Sequence, residues 1–519
     1  MRHSSRVRTP KDRATNLDLA DAERMESAML DDGLADRIEM ILRPLGNDKY
    51  RAATVDGWVE FERQPIEGRY RYSVTARAGR DPLARQATDL HGSHQTEKAA
   101  LFPSRSENSY PHAFDSIAQF FDSPNAPDLV LTHTAAYDTD GNLGQHGSLS
   151  VTQARAPFIA SGAGLRADGI IDGSARMIDV APTIARLLGI EEHPEGVGPT
   201  GEPRSDALLV RQDGDVIESV LTGESADHVV VILLDGCNAN LLHDVIESGE
   251  APNLAALLDG GTALRQGLLA SLPTATLANH TTAVTGAHPG HHGILNHTWL
   301  DRTTGVVPEL LSMDQMFWAT RHLSDQVETI FEAIERSRPG AFTSATFEFC
   351  DRSATMSSFA LVREGAAKDL PGEGEILFMD EASAAASGNY AFMSAVDHLS
   401  MTHTIECWDR VAGNPLPTLS WCSFSLTDEA AHESGPHGAL ARAAVRDSDA
   451  RVGELVSAVE RAGARGRTAF LVISDHGMEQ ADPTVVEPWG PALEATGIEH
   501  CDVGGGLIYL RPRTEPAPD

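Results

Sequence analysis

Three stretches of this chain run apolar for most of their length and stop at an acidic residue. HVVVILLDG, from about residue 227, ends at Asp235-Gly236, LPTLSWCSFSLTD ends at Asp428, and RTAFLVISDHG ends at Asp475-His476. A continuous β-branched run has no polar face, so it predicts a strand covered on both sides, as in a parallel sheet. Open α/β sheets bind ligands where such strands end, so three runs closing on carboxylates predict one functional edge. Between the last two runs, ALARAAVRDSDARVGELVSAVERAG sets Val445, Val452, Leu455, Val456 and Val459 on one face of an amphipathic crossover helix. Strand, helix, strand at this spacing predicts a mostly parallel α/β sheet.

The front of the chain is patterned differently. Residues 1–30 are polar and aperiodic and predict a disordered tail. From LADRIEMILRP to YRAATVDGWVEFERQ the alternation predicts short strands, with Asp56-Gly57 as a hairpin turn. Residues 65–125 are polar and weakly patterned. PDLVLTHT is a short apolar strand, followed by a Gly-rich loop around His146 and a helix in DVAPTIARLLGI, with Asp179 as its N-cap and Pro182 in its first turn. The Gly-, Pro- and acid-rich EEHPEGVGPTGEPRSD opens a linker that extends over residues 201–226. Residues 300–415 hold no strand ending in Asp and predict an inserted cap.

Composition narrows the function. The 519 residues carry a formal charge of -34, which repels phosphate backbones and argues against bulk nucleic-acid or anionic-membrane binding. An anionic substrate therefore needs a local cationic focus. Lysine is confined to Lys11, Lys49, Lys98 and Lys368, a bias that fits a GC-rich genome or salt adaptation better than a functional role. The five cysteines show no CxxC or zinc-finger spacing and fit reduced, separately buried thiols. With no apolar signal region and no run of about 18 apolar residues, the expectation is a soluble cytoplasmic protein.

Candidate chemistry gathers at the predicted edge. Asp428 and His432, four apart just past a strand, can face one centre and form a common borderline-metal pair, although alone the spacing fits a surface or capping pair equally well. Asp475-His476-Gly477 is more specific, because Gly477 lets the chain turn so that both side chains converge; the alternative is Asp475 as a helix cap, which holds for Asp235 too. Clustering these carboxylates without a cation would be costly. In SLPTATLANHTTAVTGAHPGHHGILNHTW, a Thr-Ala-Thr turn leads into a helix whose N-terminus suits an anion. Thr274 or Thr276 is there either an N-cap or, beside a metal held by Asp235, an activated nucleophile.

Taken in order, HVVVILLDG, PTATLANHTTAVTGAHPGHHGI, TDEAAH…GPHG and SDHGM resemble the motifs of the alkaline phosphatase superfamily, most closely its nucleotide pyrophosphatase/phosphodiesterase branch. The resemblance implies a three-layer α/β sandwich with a mostly parallel central sheet, helices on both faces and an inserted cap. It implies Thr276 as nucleophile, Asp235, Thr276, Asp475 and His476 holding one divalent ion, and Asp428 and His432 holding the other, with zinc the default and Mn or Fe able to use similar ligands. The activity implied is hydrolysis of a small phosphodiester, nucleotide or phosphoanhydride through a phospho-threonine.

Two departures from the family pattern matter. The second ion needs another His, which the family supplies late, in a Gly-x-His-Gly setting. After Asp475 only His500 lies further along, in a different setting, whereas His146 in GQHGSL has that setting near the front, and RAPFIASGAGL and DVAPTIARLLGI resemble the family segment C-terminal to that His. The resemblance thus implies a circular permutation, with 31–200 as the displaced C-terminal part, 227–519 as the main part, and GGGLIYLRP formerly running on into LADRIEMILRP. Second, the phosphate-binding Asn expected after H-G-I appears as Asn296, one residue early, with His297 in the family's place. The absence of C-x-P-x-R argues against a sulfatase, and the lack of a third-metal set and a phosphate-gripping Arg favours diesters over monoesters. Phosphomutases use Ser where Thr276 stands. The rival readings are phosphonoacetate-type C–P hydrolysis, which the cap would decide, and an inactive binding protein on the same fold.

Overall fold

The run His228–Leu234 becomes the strand on which the molecule is built. The computed structural model describes residues 19–30, 32–138, 141–312, 315–365, 389–486 and 488–510. In chain order the elements that matter are α1 (Leu19–Met29), β1 (Ile38–Gly46), β2 (Lys49–Thr54), β3 (Gly57–Ile66), β4 (Arg69–Gly79), α2 (His94–Ala99), α3 (Ala113–Phe120), β5 (Leu129–His133), β6 (Phe158–Gly162), β7 (Gly169–Ile171) and α4 (Val180–Leu187). Then come β8 (His228–Leu234), α5 (Ala239–Glu247), β9 (Gly261–Leu264), α6 (Thr276–Thr285), α7 (Ile330–Ser337), β10 (Thr343–Thr346) and β11 (Met356–Ser357). The last are β12 (Leu419–Phe424), α8 (Leu426–Ser434), α9 (Ala439–Arg461), β13 (Thr468–Ile473), β14 (His500–Asp502) and β15 (Leu507–Leu510).

The main sheet has eight strands in the order β11-β10-β12-β8-β13-β6-β9-β7. Its centre, β10, β12, β8 and β13, is parallel, while β6 runs antiparallel to both β13 and β9. Every residue of β8 is buried, as its lack of a polar face requires. Val229, Val231 and Leu233 point into a core shared with Ile184 of α4, Val284 of α6 and Ile334 of α7. Val230, Ile232 and Leu234 point the other way, onto Leu242 of α5 and Val452, Leu455 and Val459 of α9. Burying each such branched side chain contributes about 1.5–3 kcal/mol, and the two-sided covering produces the three expected layers.

A second, seven-stranded sheet has the order β14-β15-β5-β1-β2-β3-β4. Front and back of the chain interleave in both sheets: β6 from the front sits beside β13, and β15 from the back pairs with β5 at Leu507↔Val130. Among the described residues, no helix is long and apolar enough to cross a membrane, and all five cysteines are free thiols.

Three expectations about organisation need correction. Of the expected polar tail, residues 1–18 lie outside the described residues, but 19–29 form α1. Its Ala22, Met25 and Met29 make a helical stripe buried against Ile41, Leu131 and Ile508, and Glu26 pairs with Arg43 and Arg51. So few apolar residues among charges escape a periodicity scan. The 201–226 linker is a packed strap: Ala207, Leu208, Leu209 and Val220 are buried, and Asp213 accepts from the His288 backbone N–H. The 300–415 segment, part of which (366–388) is outside the described residues, is not only a cap, because it supplies β10 and β11 to the main sheet. The buried residues of β10 are Thr343, Ser344, Ala345 and Thr346, whose hydroxyls are satisfied internally (Ser344 Oγ to Ser420 Oγ, 3.0 Å; Thr346 Oγ1 to Thr404 Oγ1, 2.9 Å). A strand this polar gives no hydrophobic signal.

Candidate active site

The strands deliver their acidic ends to one edge. Asp235 directly follows β8, and Asp475 and His476 come just after β13. Asp428 and His432 are not on β12 itself but on α8, in its first and last turns respectively, where their four-residue spacing puts them on one face. The loop of Asp235 passes so close to α8 that a Cβ on Gly236 would lie 2.1 Å from Asp428 Oδ1, and Gly236 also has a left-handed φ of 59°. Thr276 is the first residue of α6, and its N-cap, Ala275, offers no side chain to the helix N-terminus, so that end can receive an anion.

His146 reaches the same place from the front of the chain. The short strand Gly144–Gln145 pairs with Glu479–Gln480, just beyond Asp475-His476. Thr274 then pins the loop: its carbonyl accepts from His146 Nδ1 at 2.8 Å, and its hydroxyl accepts from Gly147 N and donates to Ser148 O, both at 2.8 Å. His146 Nε2 comes within 3.1 Å of His432 Nε2 and 3.9 Å of Asp428 Oδ1.

Two donor groups result. His146, Asp428 and His432 form one and Asp235, Asp475 and His476 the other, with the donor atoms of each all within 4.8 Å of one another. Thr276 Oγ1 faces the second group, 3.4 Å from Asp235 Oδ1 and 3.3 Å from His476 Nε2. The groups are adjacent, since the His146 and His476 rings stack with centroids 3.9 Å apart.

The electrostatics fit cations at both places. Burial, then the neighbouring Asp475 and Asp428, push the Asp235 carboxyl well above the usual range. Burial also favours a neutral Asp428, but His432 outweighs it and holds that carboxyl well below the range. Burial would lower His432, yet Asp428 lifts it to about 9. Asp428 Oδ1 and Asp475 Oδ2 are buried without a hydrogen-bond partner. Each imidazole turns Nδ1 to a backbone carbonyl (His146 to Thr274, His432 to Gly144, His476 to Gly477), which leaves Nε2 for a metal. Three carboxylates, three imidazoles and a threonine hydroxyl are a donor set suited to two borderline divalent ions.

The sequence reading missed two residues here. His280 donates from Nδ1 to Glu348 Oε2 at 2.9 Å, and its Nε2, buried and unpartnered, lies 3.9 Å from both Asp235 Oδ2 and Asp475 Oδ2. The signal for His280 was its place four residues after Thr276, on the same helix face. Glu348 had none, because it follows the polar β10. Asn296 is buried but engaged locally: its Oδ1 accepts from His297 N at 2.8 Å and its Nδ2 packs against Gly505. Among the described residues it makes no hydrogen bond to Thr276 or to either donor group. Burial lowers the His297 imidazole. His500 lies on β14 in the other sheet, its Nδ1 on Ile498 O.

Comparison with known proteins finds individual likenesses of limited reach. An uncharacterized pyrophosphatase/phosphodiesterase of Schizosaccharomyces pombe is 34% identical over 114 residues, 21% of this chain and 21% of its own. Murine ectonucleotide pyrophosphatase/phosphodiesterase 5 superposes with 22% identity and a TM-score of 0.36, over 49% of this chain and 58% of its own. Phosphonoacetate hydrolase from Sinorhizobium meliloti 1021, in complex with phosphonoformate, gives 18% identity and a TM-score of 0.33, over 49% and 57%. The chain thus spans about a fifth of its curated relative and under two thirds of either solved chain. The family profile covers far more of the sequence: it matches residues 229–518, and the chain belongs to the type I phosphodiesterase / nucleotide pyrophosphatase family of the alkaline phosphatase superfamily.

Proposed function

We propose that the protein is a metal-dependent phosphodiesterase or nucleotide pyrophosphatase acting on a small phosphodiester, nucleotide or phosphoanhydride. The observation that carries this is the Thr276 hydroxyl, at an uncapped helix N-terminus, facing one complete donor group and adjacent to another. Asp235, Asp475, His476 and Thr276 would hold one ion and Asp428, His432 and His146 the other, with zinc the default and Mn or Fe close behind. Bound there, divalent ions would supply Lewis-acid charge for the phosphoryl oxygens and lower the pKa of the threonine hydroxyl and of water.

The chain's own residues do the rest. The first-turn N–H groups of α6 bind a non-bridging oxygen, and Thr276 Oγ is aimed to attack phosphorus. Its O–P bond forms as the bond to the leaving alcohol or phosphate oxygen breaks, giving a phospho-threonine that water then cleaves to restore the hydroxyl. Asn296, whose Nδ2 remains an available donor, is the candidate for a further phosphoryl-oxygen contact.

The same reading makes residues 31–200 a circularly permuted C-terminal part, supported by the lodging of His146 beside Asp428 and by β15 joining the sheet of β1 and β5. The free thiols fit a reducing, cytoplasmic setting. The test is metal-stripped protein re-supplied with Zn or Mn and assayed in parallel on bis-p-nitrophenyl phosphate, p-nitrophenyl phosphate and phosphonoacetate. Diester turnover ahead of the other two is expected. Turnover of phosphonoacetate alone would overturn the proposal in favour of C–P hydrolysis, and no turnover of any substrate would favour an inactive binding protein.

A further inference from the structure

The helix that carries Asp428 and His432 is held at its start by a residue from outside the site. α8 has nine residues, too few to be stable as an isolated helix, and among the described residues its N-cap, Ser425, makes no side-chain capping bond. The first N–H groups of such a helix need an acceptor. It comes from the helix Asn389–Trp408, in the segment expected to be only a cap: Asp397 Oδ1 accepts from Ser425 N at 2.7 Å and Asp397 Oδ2 from Leu426 N at 3.3 Å. A carboxylate at a helix N-terminus also meets the positive end of the helix dipole.

What Asp397 holds leads straight to the donors. Thr427, next after Leu426, donates its hydroxyl to Asp235 O at 2.6 Å, and Asp428 follows it. One turn later His432 O accepts from Leu143 N at 2.7 Å, which brings in the loop of His146. The first turn of α8 is thus fixed between Asp397 on one side and the Asp235 loop on the other. Tyr390 and Met393, from the same helix as Asp397, pack against the cluster of Leu426 and Ala430 of α8 and Ala444 of α9.

Asp397 is itself firmly mounted and costly to keep. It is fully buried. On one side of it Ser400 Oγ donates to Thr346 Oγ1 of β10 at 3.1 Å, and on the other Ser394 accepts from Arg451 Nη2 of α9 on its carbonyl at 2.8 Å and its hydroxyl at 2.7 Å. Burial pushes the Asp397 carboxyl up to about 7, against the pull of Arg451 and of the two N–H groups. An apolar residue would be buried there at lower cost, so the carboxylate is explained by the N–H groups it accepts from.

We propose that Asp397 is a positioning residue for the ion of the His146, Asp428 and His432 group: by fixing the first turn of α8 it keeps Asp428 and His432 in place against His146. The proposal rests on the two-ion reading of the site, and the experiment separates the two. Asp397→Ala is placed in two full-length backgrounds, Asp475→Asn, which leaves the His146, Asp428 and His432 group, and Asp428→Asn, which leaves the Asp235, Asp475 and His476 group. Zinc competition should show about 10–100-fold weaker binding in the first background and less than about 3-fold change in the second. Asp397→Asn, which keeps one oxygen acceptor, should weaken binding less, and His398→Gln, at the exposed neighbouring position, should change neither. Equal loss in both backgrounds, the mark of a merely structural residue, would overturn the proposal, and so would unchanged affinity in the first. An Asp475→Asn protein that holds no zinc counts against the proposed function instead, and the inference is then decided in metal-free protein with both donor groups intact. There Asp397→Ala, or Asp397→Asn should the Ala variant not fold, should speed amide hydrogen exchange at residues 425–428 by about 10-fold with α6 unchanged, and unchanged exchange at 425–428 would refute it.

Discussion

Gly144 offers a sharp test of how the front of the chain is lodged in the site. A Cβ there would fall 2.4 Å from Ala431 O, 2.8 Å from Ala431 C and 2.9 Å from Met478 Sδ. Ordinary contact begins near 3.4 Å, so the strand must back away from α8 by about 1 Å. Two donors depend on that contact, because the Gly144 carbonyl accepts from His432 Nδ1 at 2.8 Å and the same strand leads directly to His146. Metal–ligand distances tolerate only about 0.2 Å. Gly144→Ala should therefore weaken the ion of the His146, Asp428 and His432 group by about 10–100-fold and lower diester turnover by about 100-fold. Overpacking of this kind costs about 1–3 kcal/mol, which a folded variant can absorb. Zinc competition against a chromophoric chelator, with turnover of bis-p-nitrophenyl phosphate, reads both effects. Gly466→Ala, with nothing within 4 Å of its added Cβ, is the control. Wild-type zinc affinity and turnover in Gly144→Ala would refute the argument that the front loop is held against α8.

The remaining expectations concern the nucleophile, its support and a distant charge network. Thr276→Ala should lose at least about 10³-fold in turnover while still binding two ions at the active site, measured by the same competition; substantial residual turnover would remove Thr276 as nucleophile. Glu348→Gln and His280→Ala should each loosen the ion at Asp235 and Asp475 by about 10–100-fold, since the pair stands directly behind those carboxylates; an unchanged affinity would make the pair merely structural. Asp122 is favoured in its neutral form by burial, but His291 and Arg63 outweigh that and bring it from 3.8 to about 2. A depressed carboxyl pKa contributes stability that is present above its unfolded value and lost as pH falls through the folded value. That contribution is about 2–3 kcal/mol. Asp122→Asn should therefore melt well below wild type in urea at pH 7, with the gap narrowing as pH drops from about 4 toward 2; a gap that does not change with pH would exclude this linkage.

Legibility followed the physics of each element. The strands leading to Asp235, Asp428 and Asp475 could be read because full burial leaves no polar residue to break the run, although the expected strand end at Asp428 is the first turn of α8, and α9 because one stripe of it is apolar. Thr276, His432 and His476 followed from motifs whose spacing is local. The place of His146 depends on contacts with Thr274 and His432 more than a hundred residues away, which only the family pattern, not periodicity, could suggest. α1 was hidden by its charges, β10 by its hydroxyls, and the 201–226 strap by having no period at all. Glu348 was hidden with β10.

The central claim is that donors from both ends of the chain assemble two ions around Thr276. Anomalous diffraction at the zinc edge from zinc-loaded crystals tests it most directly. The account predicts one peak within about 2.0–2.2 Å of Asp235, Asp475 and His476 and another within the same distance of Asp428, His432 and His146. A second peak lacking His146, or no peak beside Thr276, would contradict it.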